Sequence, residues 1–229
     1  MRYILIFVFL LFSHASNAET LQLKDGTTLK GKIIDGNSES LNIQLDSNEI
    51  VTANINDIQS FYQDVPNSPD PDEIIRVSNM VSQEPYVIKN IFYKAGQEIA
   101  RQKWTINIDD FMDFDPQNAV MPQPTLLGQD GQIPDGAVNE YGPNGKLAKM
   151  DTYQNNKLNG ISRAYHENGN VLVELNSKNG EIVSGKYFND AGILENEGTF
   201  ENGKIVYMKL YDENGNIIQE GDPSEEENQ

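Results

Sequence analysis

The sequence predicts an all-β protein, and three observations carry that expectation. In the second half a phrase of aromatic, polar stretch and glycine recurs: "YGPNG" from Tyr141 to Gly145, "YHENG" from Tyr165 to Gly169, "FNDAG" from Phe188 to Gly192 and "YDENG" from Tyr211 to Gly215, at spacings of 24, 23 and 23 residues. A second turn signal falls between the copies, at Asp130-Gly131, Asn155-Asn156, Asn179-Gly180 and Asn202-Gly203. Two turns per period leave segments of some seven or eight residues, too short for a typical helix and right for strands. In the first half, Glu19 to Phe61 alternates apolar and polar residues between turn signals at Asp25-Gly26, Asp35-Gly36 and Asp46 to Asn48, the period of a half-buried strand.

Taken in chain order, residues 1–18 have one positive charge at Arg2, an apolar run from Tyr3 to Phe12 and small residues at Ser16 and Ala18. That is the pattern of a secretory signal peptide cleaved after Ala18, with a retained signal anchor as the alternative. The run is roughly half of what spans a bilayer, so no membrane insertion is expected after cleavage. Residues 19–62 hold four or five short strands, which predicts a small, strongly bent sheet or barrel. Residues 63–86 begin with the proline-rich, acidic "YQDVPNSPDPDE" (Tyr62 to Glu73) and are expected to be a linker. Within them "DEIIRVSNMV" is either a short helix started at Asp70 or a strand, since its apolar run does not decide between the two.

Residues 87–221 are expected to form a row of antiparallel hairpins. Asn-Gly and Asp-Gly tolerate the positive φ of tight hairpin turns, which assigns turn positions to Gly145, Gly169, Gly192 and Gly215 in one set, and to Gly131, Gly180 and Gly203 in the other. Apolar residues follow two positions after each turn: Leu147, Val171, Leu194 and Ile217 in the first set, Ile133, Leu158, Ile182 and Ile205 in the second. One hairpin cannot bury its apolar face alone, so a fixed period implies neighbours that stack equivalent side chains. Tyr141, Tyr165, Phe188 and Tyr211 then occupy one repeating slot, either as packing between hairpins or as an exposed column for a partner. Residues 222–229 are expected to be a disordered acidic tail.

The pattern in "YGPNGKLAKMDTYQNNKLNG" and "FENGKIVY" resembles the MORN-variant repeat of bacterial proteins labelled YwqK-family antitoxins, most clearly from Gly128 to Gly221. A weaker copy is aligned at Phe92 to Trp104, and departures occur at Pro143, at Asn156 in place of glycine and before Gly185. The resemblance implies β-sheet interaction modules without an agreed catalytic function. Residues 19–62 resemble an Sm-like or SH3-like barrel, with Asp25-Gly26, Gly31 and Asn42 where the first Sm motif has its Asp-Gly, Gly and Asn. The Arg-Gly of the second Sm motif is absent, so the resemblance does not imply RNA binding.

Composition narrows the chemistry. The net charge is −18, and loss of the leader removes one of 17 basic side chains and none of 35 acidic ones, for about −19. Such a surface repels nucleic acid and anionic lipid and favours basic partners. There is no cysteine and only two histidines, His14 and His166, which excludes a Cys nucleophile and a Cys/His metal site from the mature chain. His166 occupies a variable turn slot and is read as structural. Calcium at "YDENGN" or "DFMDFDPQN" is not expected, because Asp212 stands three residues before Gly215 and the closing glutamate of an EF-hand is missing. With 35 acidic residues some pair meets any spacing, so a carboxylate hydrolase would need a deep pocket lined by two or more acids. The expectation is an exported, non-catalytic, cofactor-free repeat protein, periplasmic or secreted, that binds a basic protein or an envelope component. The alternatives are an antitoxin or immunity-like protein and, less favoured, the hydrolase.

Overall fold

The computed structural model describes residues 19–36, 40–54, 57–63, 68, 70–83, 86–106, 124–142 and 145–223. The expected signal peptide, most of the acidic tail, Pro143 and the "DFMDFDPQN" stretch lie outside them. Eighteen strands and no α-helix are found among the described residues, so the protein is all-β.

The first five strands are β1 (Glu19–Leu23), β2 (Thr28–Gly36), β3 (Ser40–Leu45), β4 (Ile50–Asn54) and β5 (Ile58–Gln63). They pair antiparallel in the order β4-β3-β2-β1-β5. Leu21 and Ile43 are fully buried here with Ala53 and Ile58, and Leu23, Leu29, Leu41 and Leu45 close the cluster. Gly31 is glycine because β2 and β3 run too close for a side chain: a Cβ would stand 2.2 Å from the Gln44 carbonyl oxygen. Asn42 accepts the Thr52 hydroxyl at 2.7 Å across β3 and β4. The expectation here is a small, strongly bent sheet or barrel; the five strands are consecutive neighbours in one antiparallel sheet, and among the described residues no pairing joins β4 to β5. One edge of β5 is taken by β1 and the other meets the next strand through Phe61 and Met80.

The expected linker over 63–86 needs correction. Residues Ile74–Gln83 form β6, which pairs along its whole length with β7 (Tyr86–Lys94). The helix alternative fails with it. Ile74, Ile75, Arg76 and Val77 are all buried, because this strand is covered on both faces. Such strands show a continuous apolar run instead of alternation, which is why periodicity left the choice open.

From β7 the chain turns at Ala95-Gly96 into β8 (Gln97–Ile106), against which β9 (Thr125–Gly131) pairs. The remaining strands are β10 (Gly136–Tyr141), β11 (Leu147–Gln154), the short β12 (Lys157–Leu158), β13 (Gly160–Tyr165), β14 (Val171–Lys178), β15 (Glu181–Phe188), β16 (Leu194–Glu201), β17 (Lys204–Tyr211) and β18 (Ile217–Gly221). β10 joins the free half of the β6 edge in parallel, with Val138 opposite Ile74 and Asn139 opposite Ile75. Every later pairing is antiparallel. One sheet therefore runs from β9 through β8, β7, β6, β10, β11 and onward to β18. Its core lies at the junction, where Ile74, Phe92, Ala100, Ile133, Val138 and Tyr153 cluster and the Phe92 and Tyr153 rings meet edge to face at 5.7 Å.

Two turn classes alternate along the array. In the two-residue turns both positions have positive φ: Asn155 and Asn156 at 51° and 63°, Asn179 and Gly180 at 55° and 94°, Asn202 and Gly203 at 51° and 77°. These values fit type I′ turns, and Asn156 meets the requirement without being glycine. In the longer turns the residue after the repeat aromatic closes a double hydrogen bond: the His166 N–H donates to Asn170 O at 2.8 Å, and the Gly169 N–H donates to His166 O at 2.8 Å. The same pair of bonds recurs at Gly142, Asn189 and Asp212. Each of these turns ends in a register shift at the aromatic, so that Tyr141 faces Leu147, Tyr165 faces Val171, Phe188 faces Leu194 and Tyr211 faces Ile217. The period of the sequence is the period of this bulged turn.

Two expectations shift. Gly131 does not lie in a hairpin turn but ends β9, opposite Ala100, where a Cβ would stand 2.2 Å from Ile99 O; its glycine answers a close approach of strands. The weaker copy at Phe92 to Trp104 is a hairpin, but Ala95 and Gly96, at φ 50° and 72°, make it one of the two-residue class.

Candidate interaction surface

The four repeat aromatics Tyr141, Tyr165, Phe188 and Tyr211 are all half-buried, neither sealed in the core nor fully displayed. Each stands in register with an aliphatic residue across its bulge. Three of them also engage polar side chains. Tyr141 donates to Glu73, Tyr211 donates to Glu197 Oε1 at 2.7 Å, and Tyr165 lies against Arg163. The Glu197 carboxylate pushes the Tyr211 phenol up to about 12.

The turns that carry Gly145, Gly169 and Gly192 lean on one another. Lys146 Nζ donates to Glu167 O at 3.0 Å; Asn168 and Asn170 both donate from Nδ2 to Asp190 O, at 2.6 and 2.8 Å. His166 Nε2 lies 3.1 Å from the Phe188 carbonyl oxygen, which can only accept, so this histidine donates from one period to the next. The turn residues thus tie period to period. Gly215 closes the last such turn, where Asp212 receives Asn214 N–H and Asn216 N–H at 2.9 and 2.8 Å and Asn216 Nδ2 at 3.0 Å. These bonds, the Asn216 side chain first, hold its carboxyl below the usual range, and they leave the acid committed to its own turn. Among the described residues no three acids or histidines converge as metal ligands.

Residues paired directly across strands share a face of the sheet. One such row runs Asn139, Met150, Arg163, Glu174, Lys186, Glu197, Lys209, Glu220, one residue from each of eight strands. From Arg163 on the sign of charge alternates strand by strand. Arg163 and Glu174 are 2.7 Å apart, Lys186 and Glu197 3.9 Å, Lys209 and Glu220 3.9 Å. Tyr207 donates to Glu220 at 2.9 Å from the same face. Single exposed pairs of this kind contribute little stability. As a row they set the register of each strand on the next, because a one-residue slip would carry every charge to the other face.

At the Asn139 end of the row the sheet meets an open depression of about 500 Å³ lined by Asp70, Asp72, Glu73, Asn139 and Tyr141 among others. Glu73 is its centre. It accepts from Asn139 Nδ2 at 2.7 Å, from Ser68 Oγ and from Tyr141 OH. Burial alone would raise its carboxyl, but these donors outweigh burial and hold it below the usual range. A general acid of the glycosidase kind needs the opposite shift. Burial and the bond to Glu73 push the Tyr141 phenol up to about 12.

The inner face holds a group that sequence reasoning missed. Arg76 on β6 donates from Nε to Glu140 Oε2 at 2.7 Å and pairs with Asp151, while Lys149 Nζ lies 3.5 Å from Asp151. Arg76, Glu140 and Asp151 are each at most 4% exposed. Burial would raise the Asp151 carboxyl; the Lys149 and Arg76 charges override it and hold it well below the usual carboxylate range. Burial pushes the neighbouring Tyr153 phenol up to about 12. This cluster clamps β6 to the first hairpin of the array. Its one signal in the sequence is an arginine inside the apolar run "EIIRVSNMV".

Comparison with known proteins agrees with this geometry. A family model described as a MORN repeat variant matches residues 134–155, 158–179 and 206–222. The search of curated proteins gives no match. Among solved structures the chain is similar to one titled "Glycosylation Associate Protein (Gap123) complex from Streptococcus agalactiae", at 13% identity and a TM-score of 0.31, over 70% of this chain and 23% of that one. This chain therefore spans under a quarter of that protein. The three matches to one repeat model fall on the hairpins β10–β11, β13–β14 and β17–β18, so these segments are similar to the MORN-variant repeat.

Proposed function

We propose that the chain is an exported, non-catalytic protein-interaction module of the cell envelope, which holds a basic partner against its repeat sheet. The observation that carries this reading is the open state of the far array: from residue 178 to 222 no side chain is fully buried, so β15 to β18 offer both faces. MORN repeats are generally modules for binding protein or membrane, and generally non-enzymatic. A charge of −18 selects basic partners over nucleic acid or anionic lipid. The leader-like residues 1–18 support export. Membrane insertion of the mature chain is not part of the reading, and among the described residues no helix is long and apolar enough to cross a bilayer.

The test is affinity capture from envelope extract with the mature chain at about 50 mM and about 500 mM salt, followed by reassembly from the purified components. A basic protein that is captured at low salt, lost at high salt and bound again after purification is the expected result. Binding indifferent to salt, or an acidic partner, overturns it. The antitoxin-like reading taken from the YwqK resemblance predicts one tight partner in this experiment, whereas a scaffold predicts several weaker ones.

A further inference from the structure

The array ends at β18, which is paired on one side by β17 and has no strand on the other among the described residues. An open sheet edge is a template for another strand. The charged row says what kind of strand it fits. From β13 to β18 the strands of the array alternate between two types, a pattern that β10 and β11, with Asn139 and Met150 in the row, do not share. Those that end in a repeat aromatic carry a basic residue two positions before it: Arg163 and Tyr165, Lys186 and Phe188, Lys209 and Tyr211. Those that follow a bulged turn carry an aliphatic residue and a glutamate three positions later: Val171 and Glu174, Leu194 and Glu197, Ile217 and Glu220.

Each inner glutamate of the row has a basic residue on both sides, Glu174 between Arg163 and Lys186, Glu197 between Lys186 and Lys209. Glu220 has Lys209 on one side only. Beside it Ile218 is 65% exposed and has no partner across β17. We propose that the free edge of β18 receives an extended segment of another protein, laid antiparallel, with a basic residue opposite Glu220 and an aromatic residue two positions later beside Ile218. The inference rests on the interaction-module reading and names the partner's chemistry.

Neither the acidic tail nor the other outer strand fits this edge. The residues after Pro223, "SEEENQ", have no basic side chain. The other outer strand of the long sheet, β9 ("TLLGQDG"), has none either, so a second copy stacked end to end would face Glu220 with no counter-charge. Two β18 edges brought together would both be acidic.

The array supplies its own probe. In β15, "EIVSGKYF", Lys186 stands opposite a glutamate on each side and Phe188 follows two positions later. A labelled peptide of this sequence is titrated against the full chain by fluorescence anisotropy, alongside the same peptide with Lys186→Glu, and both are repeated on the Glu220→Lys protein. The lysine peptide should bind the unaltered protein at least about tenfold more tightly than the glutamate peptide, and the order should reverse on Glu220→Lys. Amide exchange should slow in β18 on binding. Glu220 is exposed at the rim, so the exchanged protein keeps its fold, which circular dichroism checks. No binding up to about 1 mM, a preference that does not reverse, or protection away from β18 overturns the proposal. If the partner captured from the envelope binds Glu220→Lys undiminished, the edge proposal falls while the module reading stands.

Discussion

At the scale of single residues the decisive side chain is Arg76. It is 4% exposed and neutralises Glu140 and Asp151, so its removal strands Glu140 in the core junction and leaves Asp151 with Lys149 as its cation. Arg76→Met should lower stability by about 3–5 kcal/mol, read as a shift of the urea midpoint. The depressed Asp151 carboxyl gives a pH signature. A carboxyl held down in the folded state stabilises above its unfolded value, 3.8 here, and that contribution drains away as pH falls further. Stability should therefore drop steeply below about pH 4. In Asp151→Asn the loss between neutral and acid solution should be smaller, and an equal loss would remove Asp151 as a cause. None of this was legible beforehand. An arginine among isoleucines looks like a solvated residue on a half-buried strand; only the arrival of β10 and β11, more than sixty residues on, turns it into a buried clamp.

At the scale of elements the turns were legible and β6 was not, for opposite reasons. A hairpin turn is a local demand for positive φ, and Asn-Gly announces it without reference to the rest of the chain. Gly145, Gly169, Gly192, Gly215, Gly180 and Gly203 all sit where that demand predicts. Gly131 also has positive φ, 75°, but at the end of β9 and not in a hairpin, and there glycine also allows a close approach to β8 that depends on a neighbour invisible in sequence. Asn156 offers a finer test, since its Oδ1 accepts the Ile133 N–H at 2.7 Å. Asn179→Gly and Asn202→Gly should change stability by less than about 0.5 kcal/mol. Asn156→Gly should cost about 1–3 kcal/mol, because it leaves a part-buried donor unpaired. Equal effects at the three sites would mean that the Asn156 bond contributes nothing.

At the scale of the whole molecule burial thins from the junction towards β18. The core residues lie on β6, β7, β8, β10 and β11 and in the segment before β10, whereas β15 to β18 hold no fully buried side chain. Repeat arrays are supported mainly by nearest neighbours, so opening should start at the far end. Amide exchange in β16 to β18 should run at least about tenfold faster than in β7 and β10; uniform protection would show a single cooperative unit instead. The row from Arg163 to Glu220 has a further consequence for the lineage of such chains. Its sign flips with every strand, yet a whole period contributes two strands, hence one cation and one anion. Duplicating or deleting periods would lengthen or shorten the ribbon while leaving the polarity of its terminus untouched, so copy number is free to drift without rewriting what that terminus attracts.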